Sequence, residues 1–141
     1  MEPHPRRDLF RSPPRRHGTR WAGSSANLRT LMGVTPEQAA TAALEAGCDV
    51  VGSNCGVGPD EVEQAVERML AVAPEALILA EPNAGLPQVT GDRTVYPVGP
   101  ERFADYAGNV LRLGARIISA CCGATPDHIR AMTERCQKIG E

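Results

Sequence analysis

Short apolar runs recur along the chain from Thr30 onward, separated by longer stretches of mixed polarity. The runs are near-continuous and do not alternate with polar residues, which is typical of parallel strands buried on both faces. They predict strands over 48–54, 75–81 and 115–120, and they indicate that residues 29–33 are the end of another strand.

The stretches between the runs share one start signal. They begin with "TPEQ", "GPDE", "GPER" and "TPDH". Each has a candidate N-cap, a proline at the first helical position and an acidic residue in the first turn, which complements the helix dipole. Thr35 and Gln38 also fit a capping box. The pattern predicts four helices, over 36–46, 59–73, 100–113 and 126–138.

Helices and strands therefore alternate along the chain, which predicts an α/β fold of repeated βα units. Two arrangements fit this order, an open doubly wound sheet and part of a (β/α)8 TIM-type barrel. Three or four strands are too few to close a barrel by themselves.

Residues 1–29 differ in composition from the rest of the chain. They hold seven Arg and two acidic residues, a charge of +5, whereas residues 30–141 hold 8 Lys and Arg against 15 acidic residues, a charge of −7. The sum is the net charge of −2. We interpret 1–29 as a basic, disordered leader and 30–141 as the folded part. In this interpretation Phe10 and Trp21 are isolated aromatic residues and do not indicate a folded segment. The less favoured alternative is that the leader is a basic arm that binds nucleic acid or another polyanion.

No apolar run approaches the ~18 residues of a membrane span, and the N-terminus has no apolar signal region. The five cysteines make an odd count, so a disulfide framework is disfavoured without a secretion signal. The sequence therefore predicts a cytoplasmic protein with reduced thiols and no membrane partner.

Polar and thiol side chains follow each predicted strand. Asn54 and Cys55 end the first strand, Asn83 follows the second, and Cys121 and Cys122 follow the third. Because sites in parallel βα folds form at the carboxyl ends of strands, these side chains are expected at one rim.

Three thiolates at one rim match a catalytic zinc ion, which keeps a coordination position open, better than a four-ligand structural site. Adjacent cysteines inside a strand would point to opposite faces, but the turn beside Gly123 lets both reach one ion. The spacing is not a C-x-x-C motif, so the residues alone leave metal binding and core packing as equal alternatives.

Four segments, "VVGSNCGVGP", "AEPNAGLP", "TVYPVGPERFADY" and "IISACCGATPDHIRAM", together resemble the homocysteine S-methyltransferase family. That family includes betaine–homocysteine methyltransferases and the homocysteine-binding domain of cobalamin-dependent methionine synthases. The resemblance runs from about Arg29 to Lys138. It implies a (β/α)8 barrel of which this chain is the C-terminal half, with Cys55, Cys121 and Cys122 as ligands of Zn²⁺.

The resemblance also implies an enzymatic activity, the zinc-dependent transfer of a methyl group to the thiol of homocysteine, which gives methionine. The methyl donor would be of the methylcobalamin, betaine or S-methylmethionine class. Asn83 and Asn54 are the candidate substrate-binding residues. Asn83 either lines the open metal position or is a turn residue, and Asn54 orients the turn at Cys55.

The shortness of the chain leaves further alternatives open. A companion N-terminal half-domain or self-association would complete the barrel and supply contacts to the amino-acid end of homocysteine. The other functional hypotheses are a non-catalytic zinc-binding remnant or interaction module, and polyanion binding through the Arg-rich leader.

Overall fold

A computed structural model of the chain describes residues 18–21 and 28–140. Four helices and six strands lie within these residues. The strands are β1 (Thr19–Trp21), β2 (Val50–Cys55), β3 (Leu77–Pro82), β4 (Gln88–Thr90), β5 (Arg93–Val95) and β6 (Ile117–Ile118). The helices are α1 (Pro36–Glu45), α2 (Pro59–Val72), α3 (Pro100–Leu113) and α4 (Pro126–Gly140).

The main sheet has the order β1-β2-β3-β6, and every neighbouring pair is parallel. Val51 lies opposite Thr19 on one side and opposite Ile78 on the other, and Ala80 lies opposite Ile118. Strand order follows chain order without the reversal that defines a doubly wound sheet.

One face of the sheet packs against the helices and forms the core. Val51 and Ile78 contribute to it from the strands, and both side chains are almost completely buried. The helices contribute small and apolar side chains, namely Ala40, Ala43, Val62, Ala65, Val66, Met69, Phe103, Tyr106, Ala107, Val110 and Met132. Each helix packs on the next along the chain, as expected when successive βα units lie side by side.

The other face of the sheet, called the far face below, is turned away from the helices. Because side chains alternate between faces along a strand, it is formed by Gly52, Asn54, Leu77, Leu79, Glu81 and Ile117. Leu77 and Ile117 are 48% and 41% exposed. The far face is apolar near the start of the strands and polar at their carboxyl ends.

The predicted helix starts are confirmed. Every helix has proline at its first or second position, and Thr35 and Gln38 form the predicted capping box in α1, where each side chain accepts from the other's backbone N–H. The helix and strand bounds agree with the predicted ranges to within a few residues. Helices α2 and α3 begin at glycine N-caps without a side-chain cap.

The prediction that residues 1–29 lack structure is wrong for β1. Trp21 is 5% exposed, belongs to the core, and donates its indole N–H to the carbonyl of Val34 at 3.0 Å. The prediction that 29–33 end a strand is wrong for residues 30–33, because the backbone there folds into a turn in which Gly33 donates to the carbonyl of Thr30, and only Arg29 forms a single β-bridge. Residues 1–17 and 22–27, with most of the Arg-rich leader, lie outside the described residues.

The antiparallel pair β4 and β5 was not predicted from the sequence. It leaves the main fold after β3 and returns before α3, and all of its residues are exposed. Within the part of the chain that the structure describes, no helix is long and apolar enough to cross a membrane.

Candidate metal centre

Three cysteine sulfurs meet at the carboxyl edge of the main sheet. Cys55 is the last residue of β2, and Cys121 and Cys122 follow β6. The Sγ atoms of Cys55 and Cys121 are 3.0 Å apart, those of Cys121 and Cys122 are 3.9 Å apart, and all three lie within 4.8 Å of one another. Cys122 is exposed and the other two are half-buried, so the cluster opens to solvent on one side.

The donor set fits a thiophilic metal ion. With a zinc–sulfur bond of about 2.3 Å, two sulfurs on a tetrahedral ion lie about 3.8 Å apart. The observed separations bracket that value, so small side-chain rotations would bring all three sulfurs to one ion. Three thiolates leave a fourth tetrahedral position for another ligand.

The backbone at both ligand turns has left-handed conformations. Cys55 has φ +59° and Gly56 has φ +70°, which bends the chain sharply away from β2. Gly123 has φ +80°, and a Cβ atom there would lie 2.1 Å from Cγ of Tyr96. A side chain at position 123 would therefore collide with the Tyr96 ring, which packs directly on the Cys122 turn.

Asn83 joins the two ligand turns. Its Nδ2 donates to the carbonyl of Gly56 at 2.9 Å, and its Oδ1 accepts from the backbone N–H of Cys122 at 3.0 Å. Backbone bonds run in parallel, from Asn83 N–H to Cys55 O at 3.3 Å and from Ala84 N–H to Cys122 O at 2.8 Å. Both ends of the amide therefore hold backbone groups of segments that lie far apart in the sequence.

Asn54 touches the cluster directly, since its Nδ2 donates to Sγ of Cys55 at 3.1 Å. The hydrogen bond with Cys121, followed by burial, raises the pKa of Cys55 to about 12. Burial opposes ionisation of Cys121, but hydrogen bonds from Cys55 and from the Cys122 backbone lower its pKa overall. In the metal-free cluster Cys121 is therefore the first of this pair to become a thiolate, stabilised by the Cys55 S–H.

A third segment, residues 96–98, also packs against the ligand turns, and this contact was not predicted from the sequence. The N–H of Val98 donates to the carbonyl of Ala84 at 3.0 Å, and His128 Nε2 donates to the carbonyl of Val98 at 2.8 Å. His128 Nδ1 accepts from the backbone N–H of Thr125 at 3.1 Å. His128 is thus a buried cap of α4 and not a metal ligand. The spacing of Thr125 and His128 was the only sequence signal for this role.

Cys48 and Cys136 lie outside the sulfur cluster and pack against the core. Glu81 lies on the far face, opposite Asn54, and is half-buried.

Comparison with known proteins gives consistent results. The sequence model of the homocysteine S-methyltransferase family matches residues 18–136. Methionine synthase of Mycobacterium leprae (strain TN) is 39% identical over 103 residues, which are 70% of this chain and 8% of that protein. Methionine synthase of Mycobacterium tuberculosis (strain ATCC 25618 / H37Rv) is 36% identical over 101 residues, 71% of this chain and 8% of that protein.

The oxidized form of the homocysteine methyltransferase MmuM from Escherichia coli has a similar fold. It superimposes with a TM-score of 0.54 at 23% identity, over 73% of this chain and 30% of that one. The chain spans less than a tenth of the length of the two methionine synthases, and the match to their sequence family covers β1 through most of α4. The chain belongs to the homocysteine S-methyltransferase family.

Proposed function

We propose that this chain is the zinc-binding part of an enzyme that transfers a methyl group to the thiol of homocysteine and produces methionine. The observation that carries the proposal is the cluster of three cysteine sulfurs within 4.8 Å of one another at the carboxyl edge of a parallel sheet. Family membership supplies the substrate class, because the relatives are methionine synthases and a homocysteine methyltransferase.

In this proposal Cys55, Cys121 and Cys122 hold Zn²⁺. The ion would supply the acidity that converts a coordinated substrate thiol into a thiolate at neutral pH. Three cysteine thiolates and Zn²⁺ would together have a net charge of −1. Because of this excess negative charge, a substrate sulfur bound beside the cysteines would stay electron-rich. An electron-rich sulfur is the nucleophile that methyl transfer needs.

Asn54 and Asn83 are the proposed polar residues around the substrate sulfur. The Asn54 amide already donates to a cysteine sulfur, so it is placed to moderate the negative charge that gathers there. Asn83 borders the same opening, and its amide holds the two ligand turns at a fixed separation. Both ends of the Asn83 amide are therefore already hydrogen-bonded to the turns. If Asn83 contacts substrate while it holds the turns, it does so through a shared hydrogen bond.

We further propose that the sheet is the C-terminal half of a (β/α)8 barrel. Four parallel strands in chain order, with helices packed on one face, are the arrangement of consecutive barrel units. Apolar side chains on the far face, such as Leu77 and Ile117, would then be covered by a companion N-terminal half-domain or by a second copy.

The methyl donor belongs to the methylcobalamin, betaine or S-methylmethionine class in this proposal. Free thiols at the cluster require a reducing compartment, which supports a cytoplasmic location. A non-catalytic zinc-binding remnant is the alternative outcome of the tests below.

Zinc content tests the first part of the proposal. We expect one zinc ion per chain, retained on gel filtration and lost on replacing Cys55, Cys121 or Cys122 by Ala. Cys48→Ala and Cys136→Ala are the matched controls, because those thiols pack on the core away from the cluster. Full zinc retention by a double Cys121→Ala, Cys122→Ala variant would contradict the site.

Methionine formation tests the second part. The zinc-loaded chain is assayed with homocysteine and one donor of each class, alone and together with an N-terminal half-domain. We expect turnover only with the added half, because orientation of the substrate contributes much of the rate. Zinc binding without turnover under any combination would favour the non-catalytic remnant.

A further inference from the structure

His128 is buried, and both of its ring nitrogens are hydrogen-bonded. The side chain is 6% exposed. Its Nδ1 accepts from the backbone N–H of Thr125 at 3.1 Å, and the Thr125 hydroxyl lies 2.8 Å from the same nitrogen. Because a backbone N–H can only donate, Nε2 is the protonated nitrogen, and it donates to the carbonyl of Val98 at 2.8 Å. Capping of α4 uses Nδ1 alone, so the bond from Nε2 serves another purpose.

The ring of His128 is fixed by the core. Phe103, which is fully buried, packs edge-on against it, with ring centroids 4.8 Å apart and an interplanar angle of 82°. A satisfied hydrogen-bond network of this kind makes its surroundings rigid. His128 therefore connects Val98, in the loop between β5 and α3, to the packed helices α3 and α4.

Two further hydrogen bonds lead from Val98 to a ligand turn. Val98 donates its N–H to the carbonyl of Ala84 at 3.0 Å, and Ala84 donates its N–H to the carbonyl of Cys122 at 2.8 Å. The packing beside them is close, since a Cβ atom on Gly85 would lie 2.9 Å from Cγ of Pro97 and 3.0 Å from Cγ2 of Val98. A shift of Val98 would therefore move Ala84, and with it the partner of the Cys122 carbonyl.

Cys122 depends on these contacts because the sheet ends before it. Strand β6 is two residues long, and Cys122 takes no part in the strand pairing of the described sheet. Its N–H donates to Oδ1 of Asn83 at 3.0 Å, and its carbonyl accepts from Ala84. It is also the exposed member of the three cysteines. Its position is therefore set by the neighbouring turn that Val98 and His128 support.

We propose that His128 is a positioning residue of the metal centre, which acts through Val98 and Ala84 to hold Cys122 where all three sulfurs can reach one ion. The inference rests on the proposed function, because it takes Zn²⁺ as the occupant of the cluster. It extends that function by giving a residue outside the ligand set an effect on metal affinity. Loss of a residue that supports a metal ligand typically weakens metal binding by about 10- to 100-fold.

Three substitutions separate the possible roles of His128. His128→Gln has no ring, but its amide can donate to Val98 and accept at the helix cap, where Gln38 accepts in α1. His128→Asn keeps the cap acceptor, but its shorter amide does not reach Val98 and it has no ring. His128→Phe keeps a ring against Phe103 and loses both hydrogen bonds. All three new side chains are uncharged, so none of them adds a charge beside the cluster.

Zinc affinity is measured by competition with a chromophoric chelator, and urea unfolding of the metal-free protein gives the stability of each variant. We expect His128→Gln to bind zinc nearly as tightly as the wild type, and His128→Asn and His128→Phe to bind it about tenfold or more weakly. Metal-free stability should fall in all three, because each loses ring packing or a cap. Gln38→Ala, which removes the corresponding cap of α1, should lose stability without losing zinc affinity.

Four results would overturn the inference and leave the proposed function intact. Wild-type zinc affinity in His128→Asn would show that the cap is what matters, and wild-type affinity in His128→Phe would show that the ring is. Equal weakening in His128→Gln and His128→Asn, or in Gln38→Ala, would show a general loss of stability. If either His128→Asn or His128→Phe does not fold, the other still tests the donor to Val98. A wild-type chain that binds no zinc would instead refute the proposed function, and this inference with it.

Discussion

Replacing Asn83 by Ala removes the side chain that joins the two ligand turns. The variant loses the donor to Gly56 O at 2.9 Å and the acceptor for the Cys122 N–H at 3.0 Å. At about 1 kcal/mol for each net hydrogen bond, the turns lose roughly 2 kcal/mol of the energy that holds them together. If that energy positions the sulfurs, zinc affinity falls by roughly 30-fold, within the range known for residues that support metal ligands.

Zinc affinity is measured by competition with a chromophoric chelator, and stability is measured by urea unfolding of the metal-free protein. Asn109→Ala is the matched control, because Asn109 also donates to one group, Glu63, and accepts from another, Arg112, but lies between α2 and α3. We expect similar losses of metal-free stability in both variants and a loss of zinc affinity only in Asn83→Ala.

Asn83→Asp sharpens the test. The carboxylate retains an acceptor for the Cys122 N–H but presents an oxygen to the Gly56 carbonyl where the amide presented a donor. Zinc affinity should fall at least as far as in Asn83→Ala. Zinc affinity within twofold of the wild type in Asn83→Ala, or an equal loss in Asn109→Ala, would refute the positioning role.

Two other changes test the packing of the site and an ion pair remote from it. Gly123→Ala should weaken zinc binding and destabilise the protein by about 1–3 kcal/mol in urea unfolding, because the new Cβ atom would lie 2.1 Å from the Tyr96 ring at a φ of +80°. Gly140→Ala is the control in the same assay, because a Cβ atom there would meet nothing within 4 Å. Glu37→Gln should cost at most about 1 kcal/mol at pH 7, since the pair with Arg68 is about one-third exposed. The Arg68 hydrogen bond lowers the pKa of Glu37 from 4.5 to about 2. The extra free energy of unfolding of the wild type is therefore fully present above pH 4.5 and disappears as the pH falls through 2. A difference in free energy of unfolding that does not change with pH would contradict this.

Local signals in the sequence predicted most of the regular structure. Proline after an N-cap is a signal read within a few residues, which is why the start of α1 at Pro36 and its capping box were both predicted correctly. Near-continuous apolar runs likewise predicted β2 and β3, whose core-facing side chains are buried. The location of Cys55 and Cys121 near strand ends followed from these elements.

Features that depend on distant partners were not predictable. Strand β1 has three residues in an Arg- and Pro-rich stretch, and it is stabilised by pairing with β2, by burial of Trp21 and by the hydrogen bond of the Trp21 indole to Val34. The amide of Asn83 looked equally like a substrate contact or a turn residue, because its partners lie 27 and 39 residues away. No periodicity marks such contacts, since they arise when the sheet forms.

The separation of Cys55 and Cys121 by 66 residues has a consequence for folding. β3 lies between the strands that lead to these two cysteines, so the sulfurs cannot meet until β2, β3 and β6 have paired. Long-range pairing of this kind forms late and slowly. A metal ion that needs all three sulfurs therefore binds the assembled sheet and not the unfolded chain. Each tenfold increase of free zinc above its dissociation constant would add about 1.4 kcal/mol to the free energy of unfolding, so zinc supply would set the fraction of chains that is folded.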